Sequence, residues 1–207
     1  MEAIIAKTDL NMCPRWSDNI KDEWINPLLS QACEYSFYDT ISQSLYNAML
    51  TFYNEWDENV FDLADSYVLN DYTLYSGSIY KCILGYSGPT TDTPPQDPTH
   101  WEINELGNFY YQFARPYLVY KAYQKFLLWH GKHIAQSGFR KHTDNTSFEI
   151  SSDELGYIMG DVRGVISVKE TKMLNELNTK DYTFDTVVYL KNENVKESRG
   201  GIQIFGV

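Results

Sequence analysis

The sequence predicts a mainly helical α+β protein: a helical bundle with a small antiparallel β-insert and a C-terminal β-arm. Three observations predict it. Residues 17–56 and 108–177 carry apolar residues at helical spacing, with helix-start signals. Between them, residues 67–103 are dense in Tyr, Gly and Pro and close on Trp101. After Asp181 the chain turns strand-like. The implied segments are 1–66 (arm and first helical half), 67–103 (β-insert), 104–180 (second helical half) and 181–207 (β-arm).

The elements follow in order. Ala3 to Ala6 is a short apolar run before Pro14, which reads as a brief strand or arm. Ile20, Trp24, Leu28 and Ala32, flanked by Ile25 and Leu29, then form a helical stripe. Pro27 lies inside it, so the helix either kinks there or has Pro27 in its first turn. Thr40 and Gln43 fit a capping box ahead of Ile41, Leu45, Ala48, Met49, Phe52 and Trp56 on one face. Asp57, Glu58, Asp62 and Asp65 read as a solvated edge.

Residues 72–75 and 79–83 are β-prone and separated by Ser76-Gly77-Ser78, a hairpin signal. Gly88-Pro89, Pro94-Pro95 and Pro98 make the rest of the insert turn-rich. A helix over 109–136 carries Phe113, Tyr117, Tyr120, Tyr123, Leu127 and His130 and is interrupted by Pro116, with Gly138 at its stop. Residues 141–147 read as a polar loop. Ser151 and Glu154 form a second capping-box pair before Leu155, Ile158, Met159, Val162, Ile166, Met173, Leu174 and Leu177. Gly156, Gly160 and Gly164 recur every four residues, a spacing that permits close backbone approach. The arm reads as strand at 182–184 and 186–190, a charged turn at 191–199 and a second strand at 202–205. Such a ribbon is marginal alone and must dock on its own domain or on a neighbour.

Composition narrows the function. At 207 residues the chain can bury one sizeable core. Seventeen tyrosines suit interfaces and core rims alike. A net charge of −11 argues against a surface that binds nucleic acid by charge neutralisation. It fits solubility, or a wall that duplex DNA passes without sticking. Cys13, Cys33 and Cys82 form no C-x-x-C pair, and no apolar run approaches the roughly 18 residues of a membrane span. A reduced, soluble protein made in the cytoplasm is expected, with no membrane partner.

Chemistry-bearing motifs are absent from the sequence. No G-x-S-x-G, phosphate loop or G-x-G-x-x-G occurs, so neither an enzyme nor a cofactor is expected. His130 and His133 lie three apart on a helix without a partnering ligand nearby, so capping of the helix end is preferred to a metal site. Tyr75, Tyr80 and Trp101 are either a flat platform for a sugar ring or the core of the insert.

The run Ser17-Asp18-Asn19-Ile20-Lys21-Asp22-Glu23-Trp24-Ile25-Asn26-Pro27, then Ala32-Cys33-Glu34 and Ser44-Leu45-Tyr46-Asn47, resembles the opening of head–tail connector (adaptor, or ring) proteins of tailed bacteriophages. Within that family it is most similar to the connectors of crAss-like phages. Residues 113–120 and 130–138, and the last helix from Ser151, follow in the family's order. The resemblance covers roughly 17–56 and 108–178 and rests on order and spacing. Residues 75–82, with Gly88-Pro89, Pro95 and Trp101, are similar to a small chitin-binding-type β-module, a common insertion in virion proteins. Family members without this insert run more directly between the two halves, and the tail after Asp181 has no strong counterpart.

The resemblance implies a virion protein at the head–tail interface, forming a ring, commonly of twelve subunits, beneath the portal protein. Such a ring extends the DNA channel without reading sequence and docks the next tail or ring component. Val188, Tyr189, Ile202, Ile204 and Phe205 of the arm are the candidate subunit or portal contacts, because an unpaired strand edge seeks a partner. The alternative is a carbohydrate-binding attachment protein that uses Tyr75, Tyr80 and Trp101.

Overall fold

Helices occupy the stretches with a 3.6-residue apolar period, and a three-stranded sheet the Tyr-rich insert. The computed structural model describes residues 2–14, 16, 20–34, 37, 41–134, 140–143, 146–149, 152–180, 182–184 and 187–189, with side chains outside 130–152 and 181–207. The chain is mixed α+β and mostly helical. It divides into two compact units, Met1–Asp39 with Pro116–Leu174 and Thr40–Arg115 with Asn175–Val207. In this division the insert shares a unit with α2 (Gln43–Glu55) and α3 (Glu105–Phe109), the helices on either side of it.

In the first unit, the N-terminus is not a strand. Lys7–Met12 forms a 3-10 turn in which Asp9, itself buried, accepts the Ala6 N–H at 2.8 Å. Helix α1 (Asp22–Cys33) buries Ile25, Leu28, Leu29, Ala32 and Cys33. Trp24 is 42% exposed, so the buried stripe lies one residue round from the expected one. Pro27 lies in the helix interior on the exposed side.

Helix α4 (Arg115–Ile134) buries Tyr117, Leu118, Val119, Ala122, Tyr123, Phe126 and Leu127. It holds the N-terminal segment through Tyr123, whose hydroxyl donates to the Pro14 carbonyl at 2.6 Å, and through an edge-on contact of Phe126 with Trp16 at 5.2 Å. The stretch expected as a polar loop is instead an antiparallel hairpin of β4 (Arg140–Thr143) and β5 (Thr146–Glu149). Helix α5 (Ser152–Thr179) buries Met159, Val162, Ile166, Met173 and Leu177, in line with its sequence period. Ser151 lies outside the described residues. A Cβ added at Gly156, Gly160 or Gly164 would meet nothing within 4 Å, so within this chain these glycines serve no close approach.

The second unit begins with helix α2 (Gln43–Glu55). Ser42 caps it by accepting the Leu45 N–H at 3.2 Å; Thr40, the expected cap, lies outside the described residues. Leu45, Met49, Phe52 and Trp56 are buried on the expected face. Strands β1 (Tyr72–Tyr75), β2 (Ser78–Cys82) and β3 (Trp101–Ile103) form an antiparallel sheet in the order β1-β2-β3. Ser76 and Gly77, at φ +52° and +81°, make the two-residue turn of positive φ that matches strand twist. The module starts earlier than expected: Val60 bridges Leu74, and the Phe61 N–H donates to the Leu74 carbonyl at 3.0 Å.

Helix α3 (Glu105–Phe109) continues through a π turn, Tyr110–Ala114, into α4. The widened turn sits just before Pro116, which has no N–H to give back. Buried Asn108 fastens the sheet to α3 by accepting the Ile79 N–H at 2.7 Å. Asn108→Ala strands that N–H inside the protein, and a loss of about 2 kcal/mol in urea-unfolding free energy is the expected result. Strands β6 (Tyr182–Phe184) and β7 (Val187–Tyr189) pair with each other. Their backbones lie against α3 and α2, so this part of the arm docks on its own unit. The expected strand at 202–205 lies outside the described residues. No described helix is long and apolar enough to cross a membrane.

Candidate interaction surfaces

The β-module packs its aromatics inward. Trp101, only 3% exposed, stands edge-on to Tyr67 at 4.9 Å and to Phe61 at 5.6 Å. Tyr67, Cys82 and Trp101 form its core, with Phe61, Tyr80 and Tyr86 packed against them. Of the three candidate platform residues, Tyr75 and Tyr80 are half-buried, while Trp101 has no open face for a sugar ring. The core alternative is the one this geometry fits.

With its aromatics inside, the module leaves aliphatic residues outside at one end. Tyr67 and Tyr86 exchange backbone hydrogen bonds at 3.1 and 2.9 Å, and the Asn70 N–H reaches the Cys82 carbonyl at 2.8 Å. These bonds hold residues 68–69 beside residues 83–85. A Cβ at Gly85 would stand 3.2 Å from the Leu69 nitrogen and 3.3 Å from the Val68 Cα, so a bare residue there lets the loops close up. Val68, Leu69, Ile83 and Leu84 are 66, 59, 38 and 52% exposed.

One carboxylate is fastened to this end. Asp71 accepts the Val68 N–H at 2.7 Å. With Glu55, Asp57 and Asp65 it lines a polar groove of about 220 Å³. Residues 55–105 hold ten carboxylates and one lysine, nine of the chain's eleven net negative charges. The next stretch is the reverse: residues 106–143 hold six Lys and Arg and no carboxylate. On α4, Lys121, Lys125 and Leu128 share one helix face at four- and three-residue spacing. Leu128 is 46% exposed. Burial holds Lys125 below the usual lysine range, and Lys121 lowers it further.

One cation departs from this pattern. Arg115 is buried over the rings of Trp56 (5.7 Å) and Tyr111 (5.8 Å) and pairs with Glu58 at 2.6 Å. Glu58 is thus more than part of a solvated edge, because it neutralises a charge held in the core. Asp57, Asp62 and Asp65 are exposed as expected. Val188 and Tyr189 lie on β7, and Ile202, Ile204 and Phe205 lie outside the described residues. His130 and His133 lie on α4, with their side chains outside the described set. No group of His, Cys, Asp and Glu fit to hold a metal occurs among the described residues.

The three thiols are free and buried. Burial pushes Cys13 from 9.0 up to about 12, against a partial pull from Lys169, and Cys33 up to about 11. A thiol whose folded pKa is raised keeps its proton while the unfolded chain loses it. Its contribution is therefore complete below about pH 9 and declines as pH rises towards the folded values. Lys125 and Lys169, held below the usual lysine value, act in the opposite sense. The two thiol shifts dominate, and urea midpoints flat from pH 7 to 8.5 and falling above pH 9 are expected. Midpoints that rise there would contradict the assignment.

No protein-family model, no curated protein and no solved structure matches the chain.

Proposed function

We propose that this chain is a structural subunit of the head–tail connector of a tailed bacteriophage. In this reading it closes into a ring beneath the portal, extends the DNA channel and receives the next tail component. The reading is carried by the order and spacing of the resembling stretches, 17–56 and 108–178, which hold α1, α2, α4 and α5. Supporting it, the chain presents two chemically different faces, one acidic and aliphatic and one basic. A closed ring built from one repeated contact needs two such faces. In this reading the chain performs no catalysis and binds no cofactor, and residues 191–207 reach a neighbouring subunit or the portal.

The glycan-binding alternative would need Trp101, which is enclosed by Phe61, Tyr67 and Tyr86. Mixing the purified chain with the portal protein of its own virus and imaging the products by negative stain tests the proposal. Closed rings stacked on the portal are expected. A chain that neither binds portal nor self-associates contradicts it.

A further inference from the structure

We infer that the acidic, aliphatic end of the β-module docks on the basic face of α4 in a second copy of this chain, forming a head-to-tail contact. The inference names the subunit interface of the assembly proposed above and rests on that reading only for ring closure. It starts from four exposed aliphatic side chains, Val68, Leu69, Ile83 and Leu84, gathered at one end of the module. A cluster of this kind amid charged residues marks a contact surface.

Charge selects the occupant. The nine net negative charges of residues 55–105, five of them within the module itself, repel nucleic acid and anionic lipid. It also rejects the same patch on a second copy, since a two-fold contact would set like charges against each other. The face that complements it lies on the same polypeptide. Half-buried Lys121 and Lys125 lie two turns and one turn before exposed Leu128 on α4, within a stretch of 38 residues, 106–143, that has no carboxylate. An apolar side chain there can seat on Leu69 and Leu84, with ammonium groups over the groove lined by Glu55, Asp57, Asp65 and Asp71. Because the two faces differ, each subunit offers one and uses the other, and the contact propagates.

Two variants test the pairing. Leu69→Ser with Leu84→Ser removes the aliphatic end and leaves the basic face. Lys121→Glu with Lys125→Glu reverses the basic face and leaves the module. Circular dichroism first confirms that both are folded; Leu84→Ser alone and Lys125→Gln alone serve if either is not. Native mass spectrometry and light scattering then follow association at high protein concentration and low salt. Wild type is expected to form oligomers that weaken as salt screens the charges. Each variant alone is expected to stay monomeric, while their mixture forms dimers that grow no further.

Variants that associate as wild type does, a folded mixture that yields no dimer, or a wild type that stays monomeric at its solubility limit would each overturn this interface. Portal-bound rings unaffected by either variant would reject it while leaving the connector reading standing.

Discussion

Replacing Trp101 by alanine is expected to unfold the β-module at a cost of about 4 kcal/mol, the usual range for removing a buried large aromatic. Trp101 is 3% exposed and touches Phe61, Tyr67 and Tyr86 edge-on, and the cluster around it holds no aliphatic residue to take its place. Cys82, paired with Trp101 across β2 and β3, loses its neighbour as well. Because the sheet is fastened to α3 through Asn108, the loss should spread within the second unit. Urea unfolding followed by near-ultraviolet circular dichroism reads it. The opposite result, unchanged stability with glycan binding abolished, would make Trp101 a binding residue and favour the carbohydrate alternative.

The second large effect concerns the arm. Deleting residues 191–207 while keeping β6 and β7 is expected to leave the chain folded and to abolish its incorporation into virus particles. The cut is placed there because β6 and β7 lie against α3 and α2, so removing them would damage the unit itself. Complementation of a virus lacking the gene, followed by mass spectrometry of purified particles, measures incorporation. Truncated chain present at the wild-type level would show the arm to be dispensable.

What the sequence revealed follows from what periodicity can encode. Leu45, Met49, Phe52 and Trp56 repeat at helical spacing and are buried on one face, as Met159, Val162, Ile166 and Met173 are on another. The Ser76-Gly77 turn was legible because few residues tolerate positive φ at two successive positions. Short polar elements were not. The 140–149 hairpin has no alternating apolar face, and the 3-10 turn at Lys7–Met12 depends on Asp9 bonding back to Ala6. The bridge from Val60 to Leu74 is a tertiary pairing, so the module's true start was hidden.

The candidate surfaces were partly hidden for a related reason. Val68-Leu69 and Ile83-Leu84 are adjacent apolar pairs, which local pattern assigns to the interior. Only the aromatic core, by filling the module first, puts them outside. The segregation of charge, by contrast, was countable along the chain: ten carboxylates against one lysine over 55–105, then six cations and no carboxylate over 106–143. Glu58 shows the limit of such counting. It belongs to an acidic run, yet its role is set by Arg115, 57 positions away.

A reconstruction of the portal vertex in intact particles asks most directly whether this polypeptide works by assembly. The account predicts a closed ring of it seated against the portal and surrounding the DNA. Particles of full composition that contain no copy of the chain would contradict it.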